Sequence, residues 1–225
     1  MAEVIILGTG PAAQVMRYYL AVDSPHRVVG FTTWGDEELP PGWLEGLPLL
    51  GIDDVRAALP PSSHRMLVAV EGGSLNAERQ RAFEHARRLG YELVSYVSSR
   101  ACVADGVRLG ANCVILEAAV IQPFAEIGDD VTMEPGCHVG HESIVGSHSY
   151  LAARTVVSGN VTIGPRCRLG PNATVRNSVA LAADTAVGPG ASILKATESM
   201  HEYLAQETVL LPISSHDAWE GDGLT

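Results

Sequence analysis

Aromatic residues are scarce in this 225-residue chain, at 5% of the sequence. Basic residues are also few, 15 Lys and Arg against 26 Asp and Glu, which leaves a formal net charge of -11 and a sequence pI near 5.1. That balance argues against nucleic acid or an anionic membrane surface as the main partner. An anionic ligand needs a local site of backbone N–H groups or a few placed cations. The start, Met-Ala-Glu-Val-Ile-Ile-Leu-Gly, has no basic n-region and only a short apolar run, unlike a secretory signal. No stretch reaches the length of a membrane span, and a cytoplasmic location is expected. The four cysteines form neither a disulfide framework nor a CxxC metal motif.

What the chain does have is a repeat of six. Stepping by six from Val103 to Ile193 meets sixteen positions, every one a large aliphatic residue or Met. The residues two places earlier, Ala101 to Ala191, are all small or β-branched. Residues i−2 and i point the same way on a short strand, and the remaining residues turn the chain. Three such strands close one triangular coil, so sixteen hexads build about five coils, roughly 25 Å of prism at the usual strand spacing. A fixed period of this kind marks a solenoid. Its narrow interior accounts for the shortage of rings. Cys113, Cys137 and Cys167 fall on the small inward position and read as core filler.

Ahead of the repeat lies a smaller α/β pattern. Val4–Leu7 reads as a buried strand, Gly8-Thr9-Gly10-Pro11-Ala12-Ala13 as a GxGxxA turn, and the next residues to about Val22 as a helix. Strand, Gly-rich turn and helix form the first unit of a nucleotide-binding fold, although the turn alone is a weak signal. A second strand over Arg27–Thr32 lacks the acidic end that a dinucleotide site uses. Asp36-Glu37-Glu38 reads as a solvated loop, Pro48–Gly51 as a short extended piece and Ile52–Leu59 as a short helix stopped by Pro60-Pro61. A third strand follows over Met66–Val70, then the Glu71–Ser74 loop, a helix over Asn76–Leu89 and a last strand over Tyr91–Val97. The expected organisation is α/β followed by β: a small Rossmann-like domain at 1–98, a prism at 99–196, and an extension at 197–225. That extension reads as a helix over Thr197–Ala205, a strand over Val209–Pro212 and an acidic tail.

On a prism the turn residues carry function, because the inward ones are committed to packing. Glu134, His138, His141, Glu142 and His148 form the densest polar cluster. An imidazole beside a carboxylate makes a general base, and His141-Glu142 has that form. Plain surface histidines remain the alternative. Three bunched histidines do not have the spacing of a shared metal site, and no metal is expected. Cys137 beside His141 invites a nucleophile reading, but its inward position turns the thiol into the core.

The order of the two domains, together with Gly140-His141-Glu142-Ser143-Ile144-Val145-Gly146, Ser158-Gly159-Asn160-Val161-Thr162-Ile163-Gly164 and Val187-Gly188-Pro189-Gly190-Ala191, resembles the hexapeptide-repeat acyltransferases. Within them the chain is similar to the sialic acid O-acetyltransferase and bacillosamine-type nucleotide-sugar N-acetyltransferase family, over almost its whole length. The resemblance implies a left-handed parallel β-helix, a homotrimer and acetyl-CoA as co-substrate. It implies His141 as general base and Glu142 as its partner. Tyr150, standing where the family can carry a second histidine, joins Gly159, Pro171 and Pro189 on the acetyl-CoA side. Gly8, Gly10, Pro11, Ala12, Thr32, Thr33, Gly72 and Glu134 fall on the nucleotide-sugar side. Four departures stand out: the turn lacks its usual His, Thr32-Thr33 replaces Asp-Asp, Glu71-Gly72-Gly73 replaces Gly-(Asn/Asp)-Asn, and the closing Gly-(Val/Asn)-Pro-Ala-Lys is missing. The expected activity is N-acetylation of a nucleotide-linked deoxyamino sugar. The alternatives are O-acetylation of a sugar or sialic acid, acyl transfer to another small biosynthetic amine, and a non-catalytic trimeric scaffold.

Overall fold

The computed structural model describes residues 1–35, 42–44, 46–71 and 74–205. The Asp36-Glu37-Glu38 loop, Gly72, the Val209–Pro212 strand and the acidic tail lie outside them. The first domain runs β1 (Glu3–Leu7), α1 (Pro11–Val22), β2 (Arg27–Thr32), β3 (Gly42–Leu44), β4 (Leu47–Leu50), α2 (Val55–Ala58), β5 (His64–Val68), α3 (Ala77–Arg88) and β6 (Glu92–Leu93). Its sheet has the order β3-β4-β2-β1-β5-β6, parallel except where β3 meets β4. The two-residue alternation of β1 sorts its side chains between two layers. Val4 and Ile6 pack with Ala13, Met16 and Leu20 of α1. Ile5 and Leu7 pack with Ala82, Phe83 and Ala86 of α3.

From Tyr96 to Ile193 every strand is two residues long and pairs in parallel with the strand eighteen residues away, as in Val120 with His138 and His138 with Val156. The strands stack into three sheets, one to each face of a triangular prism. The first face includes Thr132–Met133 and Tyr150–Leu151, the second His138–Val139 and Val156–Val157, and the third Ile144–Val145 and Thr162–Ile163. The hexad aliphatics form one continuous core with Cys113, Cys137 and Cys167, each fully buried. Three residues after each inward aliphatic from Val103 to Val187 the backbone turns through positive φ. Twelve of these corner residues, from Asn112 to Asp184, are not glycine and have φ between 56 and 67°. The fold is a left-handed parallel β-helix preceded by an α/β domain.

Two elements differ from the sequence reading. The strand expected over Tyr91–Val97 is two strands: Glu92–Leu93 closes the α/β sheet on β5, and Tyr96–Val97 opens the prism on Val114–Ile115. The helix expected over Thr197–Ala205 is absent. Instead Glu202–Tyr203 adds a strand beside Ala186–Val187, and Tyr203 packs against the prism core. Covering the open end of a sheet satisfies edge N–H and C=O groups that a lone helical turn would leave to water.

The α/β domain sits on the first face and on the edge between the third and first faces. Asp130, at that edge, is 1% exposed. It pairs with Arg79 of α3 at 2.8 Å, with His148 at 3.0 Å, and accepts a bond from Asn112 Nδ2 at 2.7 Å. Asn112 also accepts the Val68 N–H and donates to the Val68 carbonyl, at 2.8 and 3.2 Å. Asn76 donates to the His148 carbonyl at 2.8 Å. At the far end of the interface Asp23 accepts bonds from Ser99, Tyr96 and Ser98. These donors, Ser99 first, hold its carboxyl well below the usual range.

Candidate active site

His141 and Glu142 occupy the edge between the second and third faces. Both neighbouring coils clamp their backbone. The His141 N–H donates to Gln122 Oε1 at 2.9 Å, the Glu142 N–H to the Pro123 carbonyl at 3.2 Å, and the His141 carbonyl accepts from Asn160 at 2.8 Å. Hexad packing on either side, through buried Val139 and Val145, leaves these two side chains pointing outward, 59% and 62% exposed. Nδ1 of His141 lies 3.2 Å from Glu142 Oε2. A carboxylate at Nδ1 makes that nitrogen the donor and leaves the Nε2 lone pair free to take a proton.

The ring itself lies over Gly159, eighteen residues on. A Cβ at that position would stand 2.6 Å from His141 Nε2 and 2.9 Å from Cε1. Gly159, expected on the acetyl-CoA side, is therefore also the seat of the imidazole.

A second group of expected residues converges elsewhere. Pro11, Ala12, Glu134 and Tyr150 line a cleft of about 490 Å³ between α1 and the first face, together with Val15, Met16, Glu71, Arg79 and Arg168. Tyr150 donates its hydroxyl to Glu134, whose other oxygen accepts the Ala153 N–H at 3.1 Å. Arg168 lies over the Tyr150 ring at 5.1 Å. Burial first, and then the bond to Glu134, raise the Tyr150 hydroxyl well above its ordinary pKa, so it remains a donor.

An adjoining cleft of about 480 Å³ shares Pro11, Ala69, Val70 and Glu71 and adds Gly8, Gly10, Trp34 and Glu78. Gly8, with φ at 125°, brings the turn so close to β5 that a Cβ would stand 2.7 Å from the Ala69 carbonyl oxygen. Thr32 and Thr33 are buried and do not line either cleft; the wall beside them is Trp34 and Gly35.

Within one chain these groups do not meet. His141, Glu142 and Gly159 share the edge opposite the first face, which carries Glu134 and Tyr150. Pro171 and Pro189 stack on a third edge, between the first and second faces. His138 points out from the second face, and His148 is tied to Asp130 on the far edge. Among the described residues no group of three or more His, Cys, Asp or Glu side chains forms a metal-binding set. Cys137 is buried, its thiol donates to the Ala152 carbonyl at 3.1 Å, and burial pushes it up to about 12, which leaves no thiolate for attack.

Sequence reasoning missed Gln122, Trp34, Arg168 and the buried Asp130 group. A step of eighteen, three hexads, was the available signal for part of this: it joins Asn112, Asp130 and His148 in one column.

Residues 142–177 match the bacterial transferase hexapeptide (six repeats) model. These residues carry hexapeptide repeats of the kind found in bacterial transferases. Among solved structures, the chain is similar to a histidine-to-asparagine variant of perosamine N-acetyltransferase from Caulobacter crescentus, solved in complex with CoA and GDP-perosamine. The two are 26% identical, with 91% of this chain and 94% of that one covered and a TM-score of 0.78. The acetyltransferase domain of PglB from Neisseria gonorrhoeae FA1090 matches at 22% identity, 91% and 97% coverage and a TM-score of 0.77. WeeI from Acinetobacter baumannii AYE matches at 17%, 91% and 97%, and 0.76. No curated protein matches the sequence.

Proposed function

We propose that the protein acetylates the amino group of a nucleotide-linked deoxyamino sugar, with acetyl-CoA as donor, at sites shared between neighbouring chains of a homotrimer. The observation that carries this reading is the posture of His141: Nδ1 on Glu142, the ring seated on Gly159, and Nε2 free on an exposed edge. His141 takes the proton from the attacking amine as its nitrogen bonds to the thioester carbonyl carbon. The C–S bond then breaks, and the thiolate leaves and is protonated. Glu142 fixes the tautomer and supports the imidazolium. No covalent enzyme intermediate is required, in keeping with the buried thiol of Cys137.

The acceptor belongs in the two joined clefts at the end of the α/β sheet, where open sheets of this class take ligands. The similar Caulobacter enzyme holds CoA and GDP-perosamine, which supports the acceptor class. Because the clefts of one chain face away from its own His141, a neighbour's His141 must complete each site, and this supports the trimer. A second reading, acetyl transfer to an acceptor without a nucleotide, is favoured by buried Thr32 and Thr33 and by a turn that offers Pro11 and Ala12 in place of a polar side chain.

The test is an assay of thiol release from acetyl-CoA with GDP-perosamine and with small amino sugars. His141→Ala is expected to lower turnover roughly 10²–10⁴-fold, the usual contribution of a general base, with the melting temperature unchanged. Near-wild-type turnover in that variant removes His141 from the reaction. Turnover only on simple amines moves the acceptor to the second reading, and a chain that neither turns over nor is stabilised by acetyl-CoA is a scaffold.

A further inference from the structure

Phe124 stands out among the corner residues. It has φ at 67° and is 75% exposed. The other non-glycine residues at these corners are Asn, Asp, Ser, Ala, His, Arg and Glu; Phe124 is the one large apolar side chain among them. Left-handed backbone is disfavoured for a bulky residue, and an aromatic ring in water forgoes burial. Two costs at one residue point to a use elsewhere.

Its position says what that use is. Phe124 lies eighteen residues before Glu142, one coil beneath it on the same edge. The Gln122-Pro123 segment leading into it holds the backbone of His141 and Glu142. Ile144, 43% exposed, stands two residues beyond Glu142. Phe124 beneath and Ile144 beside therefore set an apolar shelf next to His141. On the other side the same edge climbs through Gly159 and Asn177 to Lys195, the sole lysine of the chain, three coils or about 14 Å from His141 at the usual strand spacing. A cation at that distance suits a donor whose phosphates sit a pantetheine arm's length from the thioester. The shelf is left to the acceptor.

Building on the acetyl-transfer reading, we infer that Phe124 determines acceptor specificity. Its ring carries the C–H face and C6 methyl of a 6-deoxy amino sugar while the amine reaches Nε2 of His141. Aromatic faces favour such C–H surfaces, and an apolar wall prefers a methyl to a hydroxymethyl by roughly ten-fold or more.

The experiment compares wild type with Phe124→Asn, since Asn tolerates left-handed backbone. The probes are GDP-perosamine and its 6-hydroxy counterpart, with steady-state kinetics, thermal melting and light scattering as readouts. The variant should show an acceptor KM raised about ten-fold with a weakened preference for the 6-deoxy sugar. Its KM for acetyl-CoA and its molecular mass should be unchanged. Its melting temperature should rise by about 2–4 °C, because strain has been removed. An unchanged acceptor KM overturns the inference, and so does a lower melting temperature or a dissociated assembly, either of which makes Phe124 a packing residue. Absence of turnover in the wild type overturns the underlying acetyl-transfer reading instead.

Discussion

The chemistry of a single imidazole depends here on an absent side chain. His141 keeps its ring over Gly159 because nothing projects from that coil, and a Cβ there would overlap Nε2 and Cε1. Gly159→Ala is therefore expected to swing the ring off its seat and lower kcat by roughly 10²-fold, the cost of misplacing a reacting group by about 1 Å. The ring is exposed and free to move aside, so the melting temperature should hold. A variant that keeps full kcat would show that the seat is dispensable. In the proposed reaction the neighbouring carboxylate works through the same ring: by accepting from Nδ1 it leaves Nε2 to take the proton.

At the scale of elements, the edge between the third and first faces binds the two domains through one buried carboxylate. Asp130 answers a cation from α3, an imidazole from its own column and an amide that also reaches β5. Removing it leaves Arg79 buried without its counter-ion, a change that typically costs about 3–5 kcal/mol. Asp130→Ala should lower the melting temperature by about 10 °C and loosen the cleft that Arg79 and Asn76 line. Loss of acceptor binding at temperatures where the prism remains folded would show the domains parting first. An unchanged melting curve would show that the network adds nothing.

In the whole molecule His141 stands on one edge and the clefts on the opposite face, so under the proposed reaction a single chain is half of a working site. Light scattering should give three chains per particle. Mixing His141→Ala with Glu134→Gln chains should raise turnover above that of either variant alone, because in a mixed trimer of the proposed kind an intact edge meets an intact cleft. No recovery after full subunit exchange would place both halves of the site in one chain. No helix among the described residues is long and apolar enough to cross a membrane.

The hexads determined the prism by themselves, since a six-residue period of inward aliphatics admits one closed packing, and each of the three inward cysteines was placed in it correctly. The pairing of His141 with Glu142 was legible too, because adjacent residues at a turn share an outward side whatever surrounds them. What the sequence left open depends on contacts across coils and domains. Gly159 as the seat of the imidazole, Asp130 as the tie between domains and Tyr203 as the cover of the open end all arise from residues brought together through stacking or docking. The separation of Tyr150 from His141 was likewise decided only in three dimensions. Nine residues is one and a half hexads, which carries the chain around an edge and onto the opposite face of a triangle.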